Sequence, residues 1–346
     1  DCKKRHQIAR RGGAGTEMLR RGVASRAHAV LAAASPRAIT PLAPLELAAS
    51  LVDSTADNTT GEAGFLALDA VADRPGILVA EATRWWRASP RAFGGQLVAH
   101  CIVAAGSVSP FRNAHSVHVH FINASRMIRT LYTVKALREG KSFALYAVQG
   151  EEEDGGRLVV SAVVGFQATM ADGAWAGPHL HAPKMPPCPP PHAVAPQMMS
   201  AWADSKLEGL AQMCWEVRPV LSSPYLYWVS WRGSGSRAQP LAACAIERAA
   251  ALGFLSDLQF LWAAFWEHEA THEMQMITSL DHTIYFTKEK LDPSGWLLFE
   301  LESPFAGAQR ASARGHVWAE TGALVATISQ EGVMRVGPRP APSSKL

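Results

Sequence analysis

Two stretches of the chain are apolar on nearly every side of a helical wheel. The first, Gly94-Gly95-Gln96-Leu97-Val98-Ala99-His100-Cys101-Ile102-Val103-Ala104-Ala105, opens on a glycine pair, and the second falls around 243–265. A helix without a polar face must be buried on most sides. After each comes a strand-like run, first at Ser116-Val117-His118-Val119-His120-Phe121-Ile122 and then at 274–286. Each half closes on a hairpin, one ending at Val163-Val164-Gly165-Phe166-Gln167 and the other at Ile328-Ser329-Gln330. The turns between strands are short, as at Glu153-Asp154-Gly155-Gly156 and Glu320-Thr321-Gly322, which predicts antiparallel pairing.

Between the halves stand Pro178, Pro183, Pro186, Pro187, Pro189, Pro190, Pro191 and Pro196. So dense a run fits neither a helix interior nor a central strand, and predicts an extended linker over residues 171–205. The same order of elements on either side predicts a duplicated unit, at 61–170 and 206–338. An antiparallel sheet wrapped around a buried helix is the hotdog arrangement. Two copies make a double hotdog, an α+β fold.

At 346 residues the chain has room for such a duplication, and 48% hydrophobic with 18% charged residues suits a globular enzyme. A formal charge of +3, without a basic stripe interleaved with aromatics, excludes a nucleic-acid binder. No apolar run reaches membrane-spanning length. Cys2, Cys101, Cys188, Cys214 and Cys244 contain no CxxC pair, which argues against a zinc knuckle or disulfide framework and fits a reducing compartment. Residues 1–60 are rich in Ala and Arg, like a targeting extension. In the tail 339–346, Ser344-Lys345-Leu346 reads as the tripeptide bound by the peroxisomal import receptor, predicting residence in the peroxisomal matrix.

The candidate chemistry starts at Asp257, which on a helix has Gly253, Phe254, Phe260 and Leu261 as its neighbours. A carboxylate so placed must find partners or take up a proton. Its other reading is an N-cap for a new helix after Ser256. Ser279 stands near the head of the run Ile277–Phe286. Gln330 closes Leu324–Gln330, where it shares two-residue parity with Leu324, Ala326 and Ile328 and so faces the core. The three polar groups converge to form a small hydrolytic site if their elements meet. Backbone N–H groups at Gly94-Gly95, beginning a helix, are suited to polarising a carbonyl. Asp281 and His282 are adjacent on a strand, point to opposite faces, and read as structural hydrogen-bonding residues.

A rival signal is His268-Glu269-Ala270-Thr271-His272, which matches the HExxH zinc-peptidase pattern. The pattern is short, the chain holds 13 histidines, and Met274-Gln275-Met276 follows in place of the longer signature. It reads as a chance match, and no metal or cofactor is expected.

Five segments in order carry a resemblance: Phe93-Gly94-Gly95-Gln96, His115-Ser116-Val117-His118, Ser279-Leu280-Asp281-His282, Glu302-Ser303-Pro304-Phe305-Ala306-Gly307 and Gln330-Glu331-Gly332-Val333-Met334-Arg335-Val336. Over residues 80–346 the chain resembles the acyl-CoA thioesterase II family, and within it the peroxisomal branch. The resemblance implies a double hotdog that hydrolyses fatty acyl-CoA to free acid and CoA. It places the family's catalytic Asp, Ser/Thr and Gln on Asp257, Ser279 and Gln330. It also implies substrate contact at Gly94, Gly95 and Gln96, and a homo-oligomer. The chain departs from the family at Asn123-Ala124-Ser125-Arg126, at the acidic Glu151–Asp154, and at Thr287-Lys288-Glu289-Lys290. A third class, an acyl-CoA-binding hotdog without catalysis, is disfavoured because all three polar positions are retained.

Overall fold

A computed structural model describes residues 68–71, 76–80, 91–126, 128–169, 181–195, 215–220, 222–223, 225–231, 244–287 and 291–339. The N-terminal extension, both ends of the linker and the terminal tripeptide lie outside them.

The first half runs β1 (Asp69–Ala70), β2 (Ile77–Ala80), α1 (Gly94–Val108), β3 (Asn113–Phe121), β4 (Thr130–Glu139), β5 (Phe143–Glu152) and β6 (Leu158–Gln167). The second runs β7 (Trp215–Pro219), β8 (Leu226–Trp231), α2 (Ala245–Leu255), a 3-10 helix (Phe260–Ala264), β9 (His272–Ser279), β10 (Asp281–Phe286), β11 (Leu297–Gly307), β12 (Arg310–Ala319) and β13 (Leu324–Pro338). In space the strands lie β1-β2-β4-β5-β6-β3-β10-β13-β12-β11-β8-β7, with β9 paired to β13. The two halves repeat one order of strands in mirror sequence, as a duplication requires.

The fold is the double hotdog that the pattern predicts, with one refinement. Its two sheets are joined edge to edge, β3 to β10, through register pairs from Asp281↔His120 to Tyr285↔Ser116. Pairing satisfies the backbone groups that two open edges would expose.

Both helices are buried, and they pack on one another through glycines. A Cβ on Gly106 would lie 2.7 Å from Ile246, and one on Gly253 would lie 2.8 Å from Ile102. Around them Val117, Tyr132, Tyr146, Phe166, Phe254, Phe260 and Phe299 form one continuous core. The described linker residues 181–195 are extended apart from one 3-10 turn, Pro191–Ala193. They cover the other face of the second half, where Val194 joins Trp228, Leu298 and Trp318 in a smaller cluster. Trp228 Nε1 donates to Pro189 O at 3.0 Å, and Arg218 Nη1 donates to Pro191 O at 2.7 Å.

Three expectations change. The helix expected around 243–265 stops at Leu255 and resumes as a 3-10 helix. The strand expected over 274–286 breaks at Leu280, whose N–H donates to Glu331 O while its carbonyl accepts from Phe121 N. Gln330 does not close its strand, since β13 continues to Pro338.

Two of the departures from the family pattern are partners in space. Glu152, in the acidic segment, is fully buried, and its carboxylate accepts from Arg126 N at 2.7 Å and Arg126 Nε at 2.9 Å. Burial opposes the charge, but Arg126 outweighs it and holds the carboxyl below its usual range. Arg126→Ala leaves this carboxylate buried without its main partner, whereas Glu152→Gln keeps a neutral acceptor there. Thermal unfolding at pH 7 is therefore expected to show the larger fall in Tm for Arg126→Ala.

Candidate active site

The site begins where α2 fails to continue. Ser256 N donates to Leu252 O at 2.8 Å, and then the chain tightens, with Asp257 N reaching back to Phe254 O and Leu258 N to Leu255 O. Gln259, buried, takes the left-handed conformation at φ 56° before the 3-10 helix starts. A glutamine there is strained, and such strain persists only where the surroundings impose it. The buried Tyr227 is one constraint, because its hydroxyl donates to Leu258 O at 2.9 Å. Asp257 is thus neither a mid-helix residue nor an N-cap, since Gln259 holds the position before the next helix. It sits in the turn, half-buried, with its carboxylate facing the start of α1.

That start is built to receive it. Phe93, at the N-cap of α1, offers no side-chain acceptor, and the Gly95 N–H is satisfied by the Asp257 carboxylate. The helix N-terminus adds a favourable field for the anion. Close approach requires both glycines. A Cβ on Gly94 would meet Asp257 Oδ2 at 2.6 Å, and one on Gly95 would meet Phe254 O. The glycine pair expected to contact substrate therefore also contacts Asp257, while Gln96 is buried in the first turn of α1.

Gln330 gathers the rest. Its alternation with Ile328 and Ala326 turns it inward as the sequence predicts, and it is buried. Its Nε2 donates to Asp257 Oδ1 at 2.6 Å and to Ser279 Oγ at 2.7 Å. Ser279 is the last residue of β9, not the head of a longer strand, and pairs with Gly332 across the ladder. A Cβ on Gly332 would lie 2.1 Å from Leu261, so this position also demands glycine. Asp257, Ser279 and Gln330 therefore meet from a turn and two strands.

The electrostatics are a contest. Desolvation pushes the Asp257 carboxyl up, hydrogen bonds from Gln330, Gly95 N–H and Ser279 pull it back, and the balance leaves it at about 6. A carboxylic acid near 6 is ionised at neutral pH yet more basic than an exposed Asp. The Tyr227 phenol is raised by its own burial and by the Asp257 charge, and stays neutral.

Two further groups frame the triad. His282 is wholly buried, with its Nε2 at 2.8 Å from Ser256 Oγ and its ring edge-on to Phe260. Asp281 Oδ1 accepts from Glu331 N at 2.9 Å. The sequence signalled neither Tyr227 nor Ser256. Ser256 could have been found as the residue preceding Asp257 at a helix end.

The HExxH residues lie elsewhere. His268 to Thr271 form turns and His272 opens β9, so although His272 N closes one α-turn onto His268 O at 2.9 Å, the two histidines do not stand on the helix that the zinc-peptidase pattern requires. They line an open cavity with Gln275, Gln309 and Arg335, and His272 Nδ1 is engaged by Thr271 Oγ1 at 2.8 Å. Among the described residues no cluster of three or more His, Cys, Asp or Glu is placed to hold a metal.

Residues 82–167 match the model of the acyl-CoA thioesterase N-terminal domain, and residues 179–334 that of the C-terminal domain. The chain belongs to the acyl-CoA thioesterase II family. Human acyl-coenzyme A thioesterase 8 is 30% identical over 280 residues, which span 74% of this chain and 84% of that protein. Acyl-CoA thioesterase 2 of Haemophilus influenzae is 27% identical over 264 residues, 70% of this chain and 87% of that one. Among solved structures, acyl-CoA thioesterase II TesB2 from Mycobacterium marinum aligns with a TM-score of 0.62 and 26% identity, covering 81% of this chain and 98% of its own. A hot dog fold protein from Alicyclobacillus acidocaldarius, 20% identical with a TM-score of 0.61, covers 80% of this chain and 98% of its own and matches in fold. The protein is a thioester hydrolase. In this thioesterase the polar cluster draws on both matched domains, Gly94 and Gly95 from one and Asp257, Ser279 and Gln330 from the other.

Gly94→Ala tests that junction. Its methyl would displace the Asp257 carboxylate and press on Phe121 at 3.1 Å. A displacement of this kind is expected to lower kcat for acyl-CoA hydrolysis about 100-fold, measured as CoA release, with the far-UV circular dichroism spectrum unchanged.

Proposed function

We propose that the enzyme hydrolyses fatty acyl-CoA in the peroxisomal matrix, with Asp257 as general base for the attacking water and Ser279 and Gln330 positioning it. The observation that carries this reading is the Gln330 amide, bonded at once to Asp257 at 2.6 Å and to Ser279 at 2.7 Å. Thioester hydrolysis needs a proton acceptor, a fixed water and donors for the developing oxyanion. Asp257 accepts the water's proton as its oxygen attacks the thioester carbonyl. Ser279 and Gln330 restrict where carboxylate and water sit. The positive end of the α1 dipole lies beside the Asp257 carboxylate and favours the developing oxyanion. CoA departs as the thiol after taking that proton. No metal or cofactor enters the step.

Asp257→Asn keeps the size of the side chain and removes its basicity. It is expected to reduce single-turnover hydrolysis by about 10²–10⁴-fold. The same variant should melt no lower than wild type at pH 8. A carboxyl raised from 3.8 to about 6 on folding weakens the native state as pH rises through that window, and the amide avoids the penalty. Ser279→Ala and Gln330→Ala should each cost less, and their effects should combine non-additively. In wild type, kcat/KM should rise with pH to a plateau, with a midpoint near 6, because the base must be ionised. An Asp257→Asn protein with wild-type turnover contradicts the assignment.

The peroxisomal part of the proposal is supported by Ser344-Lys345-Leu346, the sequence that the import receptor reads. Removing these residues should leave a fluorescently tagged protein in the cytosol, with its specific activity intact.

A further inference from the structure

The hydrogen-bond polarity of the Gln330 amide needs an explanation of its own. Both N–H bonds of Nε2 are committed, one to Asp257 Oδ1 and one to Ser279 Oγ. Oε1 therefore points away, and it is buried without a partner. The Gln330 side chain meets His282, and His282 Nδ1 is also buried without a partner. At the far side of the ring, Nε2 lies 2.8 Å from Ser256 Oγ.

Burial pushes this imidazole down to about 3, with the Gln330 contact opposing, so the ring is neutral and has a single N–H. Two tautomers are available. With the proton on Nε2, the bare Nδ1 would face Oε1, and two acceptors would be buried together. The amide would relieve this by turning over, which would aim Oε1 at the Asp257 carboxylate and remove its donor. With the proton on Nδ1, the ring and the amide are both satisfied, and the one bond given up is that from Ser256 Oγ to Gly253 O. Ser256 Oγ–H turns from Gly253 O, 2.8 Å away, to donate to Nε2, Nδ1–H donates to Oε1, and both Nε2 hydrogens remain on Asp257 and Ser279. The two ends of a glutamine amide have nearly the same shape, so hydrogen-bond polarity is what distinguishes them.

We propose that His282, carrying its proton on Nδ1 and backed by Ser256, is a positioning residue that fixes which end of the Gln330 amide faces Asp257. The proposal rests on Asp257 being the base only for its effect on catalysis. Its structural content, the tautomer, is independent. Phe260 and the pairing of His282 with Val119 on β3 hold the ring in place. His282 faces Ser256 from the end of α2, Phe260 from the 3-10 helix and Gln330 from β13. Asp257 faces Gly95 from α1, Tyr227 from β8, Ser279 from β9 and Gln330 from β13.

The test uses the full chain labelled with ¹⁵N-histidine. Two-bond proton–nitrogen correlation at pH 8 reads the tautomer, and the His282 signals are assigned by their loss in His282→Asn. The expected result is a protonated Nδ1 and an unprotonated Nε2. The opposite tautomer, or a ring that titrates between pH 5 and 8, overturns the proposal. Kinetics provides the second arm. His282→Leu frees the amide to turn and removes a donor from the carboxylate, so Asp257 becomes harder to ionise. The acid limb of kcat/KM should move upward by about one pH unit and kcat should fall about tenfold, as for loss of one hydrogen bond to a charged group. His282→Asn places an amide nitrogen where Nδ1 stood, and should keep the limb at its wild-type position. If His282 only packs, the limb stays fixed in both variants and the proposal fails. Failure of the Asp257 reading is a separate result, because an active Asp257→Asn enzyme leaves the wild-type tautomer unchanged.

Discussion

The site depends on a carboxylate from one half of the molecule placed at the helix N-terminus of the other. Asp257 is held by the Gly95 N–H of α1 and by the Gln330 amide of β13, in surroundings that resist its charge. Raising a carboxyl from 3.8 to about 6 corresponds to roughly 3 kcal/mol against the ionised form. Unopposed burial would go further and leave a neutral acid. The hydrogen bonds stop the shift within a range where the group is both charged and basic at neutral pH. Stability is given up locally to obtain that reactivity, and the surrounding core sustains it.

Much of the architecture follows from bringing those two halves together. The helices approach through Gly106 and Gly253, and the carboxylate approaches through Gly94. The pairing of β3 with β10 makes the sheets continuous and fixes the two helices relative to each other. Duplication does not produce two equivalent sites. α1 runs for 15 residues, whereas α2 stops after 11, and Asp257 occupies the turn that this early stop creates. Tyr227 and the left-handed Gln259 hold that turn.

The sequence was most legible where a period or a buried charge carried the signal. Two-residue parity turned Gln330 inward, and apolar neighbours marked Asp257 as a carboxylate needing partners. The repeated order of elements led to the fold. The breaks were not legible. Between Phe254 and Phe260 there is no glycine or proline to end a helix, and the left-handed position is filled by a glutamine, a residue that local rules do not place there. Leu280 interrupts a continuous strand-like run because its backbone bonds to two neighbouring strands, a tertiary effect. Ser256 and Tyr227 gave no signal, since each acts on a partner far away in sequence or on an atom of the backbone. His282 was read as a structural hydrogen-bonding residue, and the side chain it faces, 48 positions on, could not be read from its own strand.

The most direct measurement is the titration of Asp257 itself. In the wild-type protein labelled with ¹³C at aspartate side-chain carboxyls, the Asp257 resonance is identified by its loss in Asp257→Asn and followed with pH. The account predicts a midpoint near 6, which matches the acid limb of the pH–rate profile. A midpoint near that of an exposed aspartate, about 4, with the rate profile still breaking near 6, would show that another group is the base.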